Sequence, residues 1–222
     1  NSVLGFEQAL LGRIAYRVAK EKHLPQLGPR DVLIVAFQTC LSDGECAAIR
    51  AAVARGCGVV ITGLTAECDE NNRQREKPAL LGLNGKPNVR YFEKCPGRVS
   101  QPKGDGESGL RAAMPARRAE ILAAVHELAR QGLAAELDCG DRKQPLTFVD
   151  VYRLPNSVMA HVVYYGDGEP TGLRLRVADW LTKAEPTLHS PHINTPQPLK
   201  RSAQGWIALP STFGRYAALK FA

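Results

Sequence analysis

The chain has 222 residues, of which 44% are hydrophobic and 23% charged, with a formal net charge of +7; this is the composition of a globular protein, not of a disordered or fibrous one. No apolar run approaches the about 20 residues that a membrane-spanning helix needs. A signal peptide is not visible, because Glu7, Arg13 and Arg17 interrupt the first apolar stretch.

The length allows one large domain or two small ones. The chain starts at Asn1, which suggests a processed chain or a fragment. Phe6, Leu10, Ile14 and Val18 recur at helical spacing and predict an amphipathic helix over 6–22. Gly28-Pro29 breaks the chain, and the continuous apolar run 32–37 then suits a strand covered on both faces. Ser42 and Glu45 have the spacing of a capping box and open a helix whose buried stripe is Cys46, Ile49 and Val53. Gly56 supplies its left-handed stop, and 58–63 follows as a second buried strand. Strand, helix and strand with short joints make a βαβ unit.

A polar loop, 65–77, comes next, then a short helical piece near 78–83 and a third strand at 89–93. Asn84-Gly85-Lys86 is a turn, since it lacks the glycine spacing of a phosphate loop, and no cofactor is expected. Residues 95–114 form a long irregular connection. Pro115 opens another helix with Ile121, Leu122, Val125 and Leu128 on its apolar face.

From about residue 143 the period becomes alternating. Strands are expected at 148–154, 158–165, 173–177, 206–209 and 216–221, with arginines outward and aliphatics inward in the third. Five short strands without a helix argue for an antiparallel sandwich. The expected organisation is an α/β domain over 1–142, a parallel sheet with helices on both faces, and a small β-sandwich over 143–222.

Charge and cysteines bound the partners. Residues 73–118 hold eleven Lys or Arg and four Asp or Glu, and the rest of the chain is neutral. That segment has only two aromatics, Tyr91 and Phe92, so a nucleic-acid stacking platform is disfavoured and a solvated basic region is the reading adopted. Cysteines stand at 40, 46, 57, 68, 95 and 139, without a C-x-x-C pair, so no metal site of the usual zinc spacing is expected. Taken as reduced thiols, they favour a reducing, cytoplasmic compartment.

In order along the chain, several stretches resemble a known family: Leu41-Ser42-Asp43-Gly44-Glu45, then 53–63, Asp69-Glu70-Asn71-Asn72-Arg73-Gln74-Arg75, Leu80-Leu81-Gly82, His161-Val162-Val163-Tyr164-Tyr165, Ser190-Pro191, 206–210 and Arg215-Tyr216-Ala217. Together they resemble the glutamine amidotransferase-like, trimerisation-type domain and C-terminal sandwich of family 42-type β-galactosidases and related glycoside hydrolases. Tyr164 stands where that family usually has Asn. The resemblance covers most of 30–222 and implies a flavodoxin-like, class I glutamine amidotransferase-like sheet. It also implies a structural or oligomerisation role beside an upstream catalytic barrel, a fold of about 250 residues.

Cys40 falls where class I amidotransferases carry their nucleophile, but its context, Gln38-Thr39-Cys40-Leu41-Ser42, lacks the flanking glycines of a strained elbow. The reading adopted is a non-catalytic thiol; the alternative is a cysteine-dependent hydrolase or amidotransferase. Asp69, Glu70, Arg73 and Arg75 could bind a polar ligand such as a sugar, or order their own loop through ion pairs; loop ordering is preferred. The partners expected are a second copy of the chain or an upstream catalytic domain, with carbohydrate as the small-molecule alternative and no membrane.

Overall fold

The structure is a computed structural model that describes residues 14–36, 38–62, 65–92, 120–129, 132–139, 147–165 and 168–222. These residues divide into two compact units, one from the described residues of 18–129 and the other from 14–17 with the described residues of 132–222.

In the first unit, β1 (Val32–Val35), β2 (Gly58–Thr62) and β3 (Val89–Phe92) make a parallel sheet in the order β1-β2-β3. Helix α1 (Asp43–Ala54) crosses from β1 to β2. Its cap forms as the spacing predicts: Glu45 N donates to Ser42 Oγ at 3.1 Å, and Ser42 N donates to Glu45 Oε2 at 2.8 Å. Gly56, at φ +95°, ends the turn that follows.

Strand periodicity sorts β2 between two faces. Val59 and Ile61 pack with Cys46, Ile49 and Val53 of α1. Gly58 and Val60 face the other way, where a Cβ on Gly58 would lie 2.9 Å from Leu128 Cβ. Leu128 belongs to a second helix, α2, over 120–128, with Ile121, Ala124 and Val125 also buried. Helices therefore lie on both faces of β2, and Gly58 is the residue that lets α2 approach.

Asn88 joins these elements. It is buried, and its Nδ2 donates to Val53 O at 2.9 Å and to Cys57 O at 2.7 Å, while its own carbonyl accepts from Val59 N. One side chain thus satisfies carbonyls at the end of α1 and the start of β2.

The amphipathic helix expected over 6–22 does not form across its described part. Residues 14–20 are non-helical; Ile14 bridges Glu136, and Ala15 N donates to Ala135 O at 3.1 Å. A free strand edge offers backbone partners that a marginal helix end does not outcompete. Glu21–Gln26 then forms a 3-10 turn. The short helical piece expected near 78–83 is the 3-10 turn Leu81–Leu83. Residues 6–13, the irregular connection 95–114, Cys95, the Pro115 helix start and the joint near 142 lie outside the described residues.

Among the described residues, the second unit has eight strands in two antiparallel sheets. One sheet is ordered β10 (Trp206–Ala208), β7 (Arg174–Val177), β4 (Ala135–Asp138). The other is ordered β5 (Thr147–Leu154), β6 (Ser157–Tyr164), β11 (Tyr216–Phe221), β8 (Pro186–His189), β9 (Gln197–Pro198). Their inward residues, among them Leu137, Leu175 and Ile207 from the first and Val151, Val162, Leu188, Leu219 and Phe221 from the second, share one core. β4 precedes residue 143 in sequence yet pairs with β7.

The outward face of the smaller sheet is a ladder of charges. Arg176 lies opposite Glu136, and Arg174 opposite Asp138, each as an ion pair. Both guanidinium groups also stand over the Trp206 ring, at 4.8 Å for Arg176 and 5.5 Å for Arg174. Arg201, whose side chain is 10% exposed, donates to the carbonyls of Val177, Thr182 and Ala184 and pairs with Asp179, fixing the 178–185 turn. Gly214, at φ +68°, passes so close to the His192 ring that an added Cβ would meet it at 2.3 Å.

Candidate functional site

The sequence-predicted site residues stand in the loops that follow β1 and β2, on the carboxyl-end side of the parallel sheet. Cys40 and Cys68 are partners in an isolated parallel bridge: Leu41 N donates to Cys68 O at 3.2 Å, and Cys68 N donates to Thr39 O at 2.9 Å. Cys40 is exposed and Cys68 half-buried. The Cys40 thiol donates to Asn72 Oδ1 at 3.4 Å. Desolvation first, and the Cys40 thiol second, hold Cys68 above the ordinary thiol value. No imidazole hydrogen-bonds Cys40 among the described residues. A nucleophilic thiol is activated by such a base. The other described cysteines behave as buried apolar side chains, and burial pushes the Cys57 thiol up to about 11.

Asp69 is turned on its own loop. Its Oδ1 accepts from Asn71 N at 2.9 Å and from Arg73 N at 2.8 Å, a tight Asx-type turn. The Arg73 amide foremost, then that of Asn71, draws the Asp69 carboxyl below its usual value against some desolvation. Arg75 crosses to α1, donating to Asp43 Oδ1 at 2.6 Å and to Leu41 O at 2.9 Å; its buried Nε has no hydrogen-bond partner among the described residues. Glu70 and Arg73 are exposed. The four residues thus share a loop, while Asp69 and Arg75 face different partners and do not converge on one cavity.

Backbone geometry adds to this ordering. Asn72 adopts φ +60°, which Asn tolerates, and fully buried Ala66 adopts φ +58°, which is uncommon for Ala. Ala66 N donates to Gln38 O at 2.8 Å, and its carbonyl accepts from Ala79 N at 3.0 Å. The loop after β2 is therefore stitched to the loop after β1 at residues 66, 68 and 75.

A second polar cluster lies on the outer face of the five-stranded sheet. Tyr152, 45% exposed, meets the His161 ring edge-on at 5.4 Å, with the Arg17 guanidinium over its own ring at 5.5 Å. His161 Nδ1 is hydrogen-bonded to Tyr216 Oη at 2.5 Å. A hydrogen bond to Asp150 raises Tyr152 above the usual phenol value. The sequence places His161 within the strand expected over 158–165. Its partner is visible only through the register His161↔Ala218, which brings β11 beside β6.

No protein-family model matches the chain, and no curated protein sequence matches it. Solved structures do. A GH42 β-galactosidase from G. stearothermophilus aligns with 99% of the chain at a TM-score of 0.60 and 9% identity, over 36% of its own length. A β-galactosidase from Bacillus circulans sp. alkalophilus aligns with 100% of the chain at a TM-score of 0.54 and 12% identity, over 37% of its own length. The chain thus spans about a third of the length of these enzymes. At such identities the likeness is one of fold: a mixed α/β arrangement similar to part of a GH42 β-galactosidase.

Proposed function

We propose that this chain is a non-catalytic accessory and assembly region of a glycoside-hydrolase-like, carbohydrate-active protein. Its first unit would be a flavodoxin-like, class I glutamine amidotransferase-like domain, and its second an accessory sandwich. The observation that carries this reading is the alignment of nearly the whole chain with about a third of a β-galactosidase. Supporting it, the Cys40 thiol is engaged by the Asn72 amide oxygen, and Asp69 and Arg75 are committed to their own loop and helix. Hydrolysis of a glycosidic bond needs a pair of carboxyl groups flanking that bond; in this reading the pair belongs to a separate barrel.

The partner we favour is a second copy of the chain, joined through the α/β unit as a closed dimer or trimer. Among the described strands, β1 and β3 are the edges of the parallel sheet, and an edge favours pairing or covering. The activity side is tested with aryl glycosides and the purified chain. No hydrolysis above background is expected; turnover that disappears when one carboxylate of this chain is replaced would refute the reading.

A further inference from the structure

Cys40 and Cys68 are 28 positions apart in sequence, and no spacing rule pairs them. The fold places them side by side. Direct partners in a parallel ladder have Cα atoms about 4.8 Å apart, inside the range of about 4.4–6.8 Å that disulfides span. The backbone bonds on either side, Leu41 N to Cys68 O and Cys68 N to Thr39 O, fix that register. The Cys40 thiol acts electrostatically on Cys68, and Cys40 is exposed.

We propose that Cys40 and Cys68 form a reversible dithiol–disulfide site, oxidised by low-molecular-weight disulfides. The exposed Cys40, as thiolate, attacks one sulfur of the small disulfide. A mixed disulfide forms at Cys40, and one small thiol leaves. The Cys68 thiol gives its proton to solvent, and its sulfur attacks the Cys40 sulfur. The protein disulfide forms, and the second small thiol leaves after taking up a proton. The protein loses two electrons and two protons, and the small disulfide gains both. The new bond would tie the loop after β1 to the loop after β2 and release Asn72 Oδ1 from the Cys40 thiol.

The test is to equilibrate the full chain in a series of glutathione and glutathione-disulfide mixtures, block free thiols, digest without reduction and identify linked peptides by mass. The expected product is a single intrachain Cys40–Cys68 link, reversed by dithiothreitol, with Cys46, Cys57 and Cys139 blocked only after denaturation. In Cys40→Ser and Cys68→Ser, checked for folding by circular dichroism, the remaining thiol should carry only the glutathione adduct. A persistent glutathione adduct on Cys40 of the unmodified chain would overturn the proposal. So would a link from either thiol to another cysteine, or between two chains, or no oxidation at the most oxidising ratio.

Discussion

The two units solve the same problem of placing polar side chains in different ways. In the sandwich, where Arg201 orders one turn, the charged groups of the smaller sheet stand on its face and pair across strands: Glu136 with Arg176 and Asp138 with Arg174, over Trp206. Their positions follow from register, so shifting a strand by one residue would turn them into the core. In the α/β unit the polar groups leave the sheet and order loops: Asn88 spans α1 and β2, Asp69 closes a turn, and Arg75 reaches back to the start of α1. Each unit has its own apolar core; the contrast predicts that, in the α/β unit, the loss of one polar stitch is also felt locally, at the junction it serves.

The largest effect should come from the sandwich core. Phe221 is 1% exposed and packs where both sheets meet. Phe221→Ala should cost about 3–5 kcal/mol in denaturant-monitored stability. A loss below about 1 kcal/mol, small beside the usual range for a buried aromatic, would show that the shared core does not hold the unit.

Next comes the stitch at Asn88. Asn88→Leu keeps the size and removes the donor that serves Cys57 O; Val53 O retains the Gly56 amide. The expected cost is about 1–3 kcal/mol, with faster amide exchange at the α1–β2 junction. An unchanged exchange pattern would break the distinction between the units.

Smaller again is the cap. Ser42→Ala removes the acceptor of Glu45 N and should cost about 1 kcal/mol. Fraying of the first turn of α1, read by exchange, would accompany it.

The smallest effect concerns pH. The Asp69 carboxyl is drawn down in the folded chain, so its contribution is present above the ordinary carboxylate value and is lost as pH falls through the lowered one. Because Asp69 lies in an exposed loop, the readout is local: amide shifts of Asn71 and Arg73 should titrate below the model-peptide carboxylate range, and Asp69→Asn should abolish that step. A midpoint at or above that range would contradict the turn's geometry.

Much of the α/β unit was legible in the sequence, because its signals are local. A continuous apolar run gave β1, the S-x-x-E spacing gave the start of α1, and Gly56 its end. The start of the stretch 14–20 was not, since Ile14 and Ala15 pair with β4, more than a hundred residues away. β4 itself is four residues long and sits just after a helical pattern, so its alternation of buried Ala135 and Leu137 with Glu136 and Asp138 stays ambiguous until β7 pairs with it. β8 starts on Pro186 and β9 spans two residues, too short for any periodicity to register. In the candidate site, the loop of Asp69 and Arg75 was visible as charge, but its inward-turned hydrogen bonds were not. The Cys40–Cys68 neighbourhood depends wholly on how two loops meet.

The central claim is that this chain acts by association. The most direct measurement is light scattering coupled to size-exclusion chromatography. The chain has a mass of 24.1 kDa, and it should be loaded at about 100 µM, far above the Kd of about 1 µM expected for a modest specific interface. The account predicts the mass of a closed dimer or trimer, retained on dilution to a few multiples of that Kd. A strict monomer at the highest concentration would contradict self-association and reassign the assembly role to docking on a separate catalytic domain.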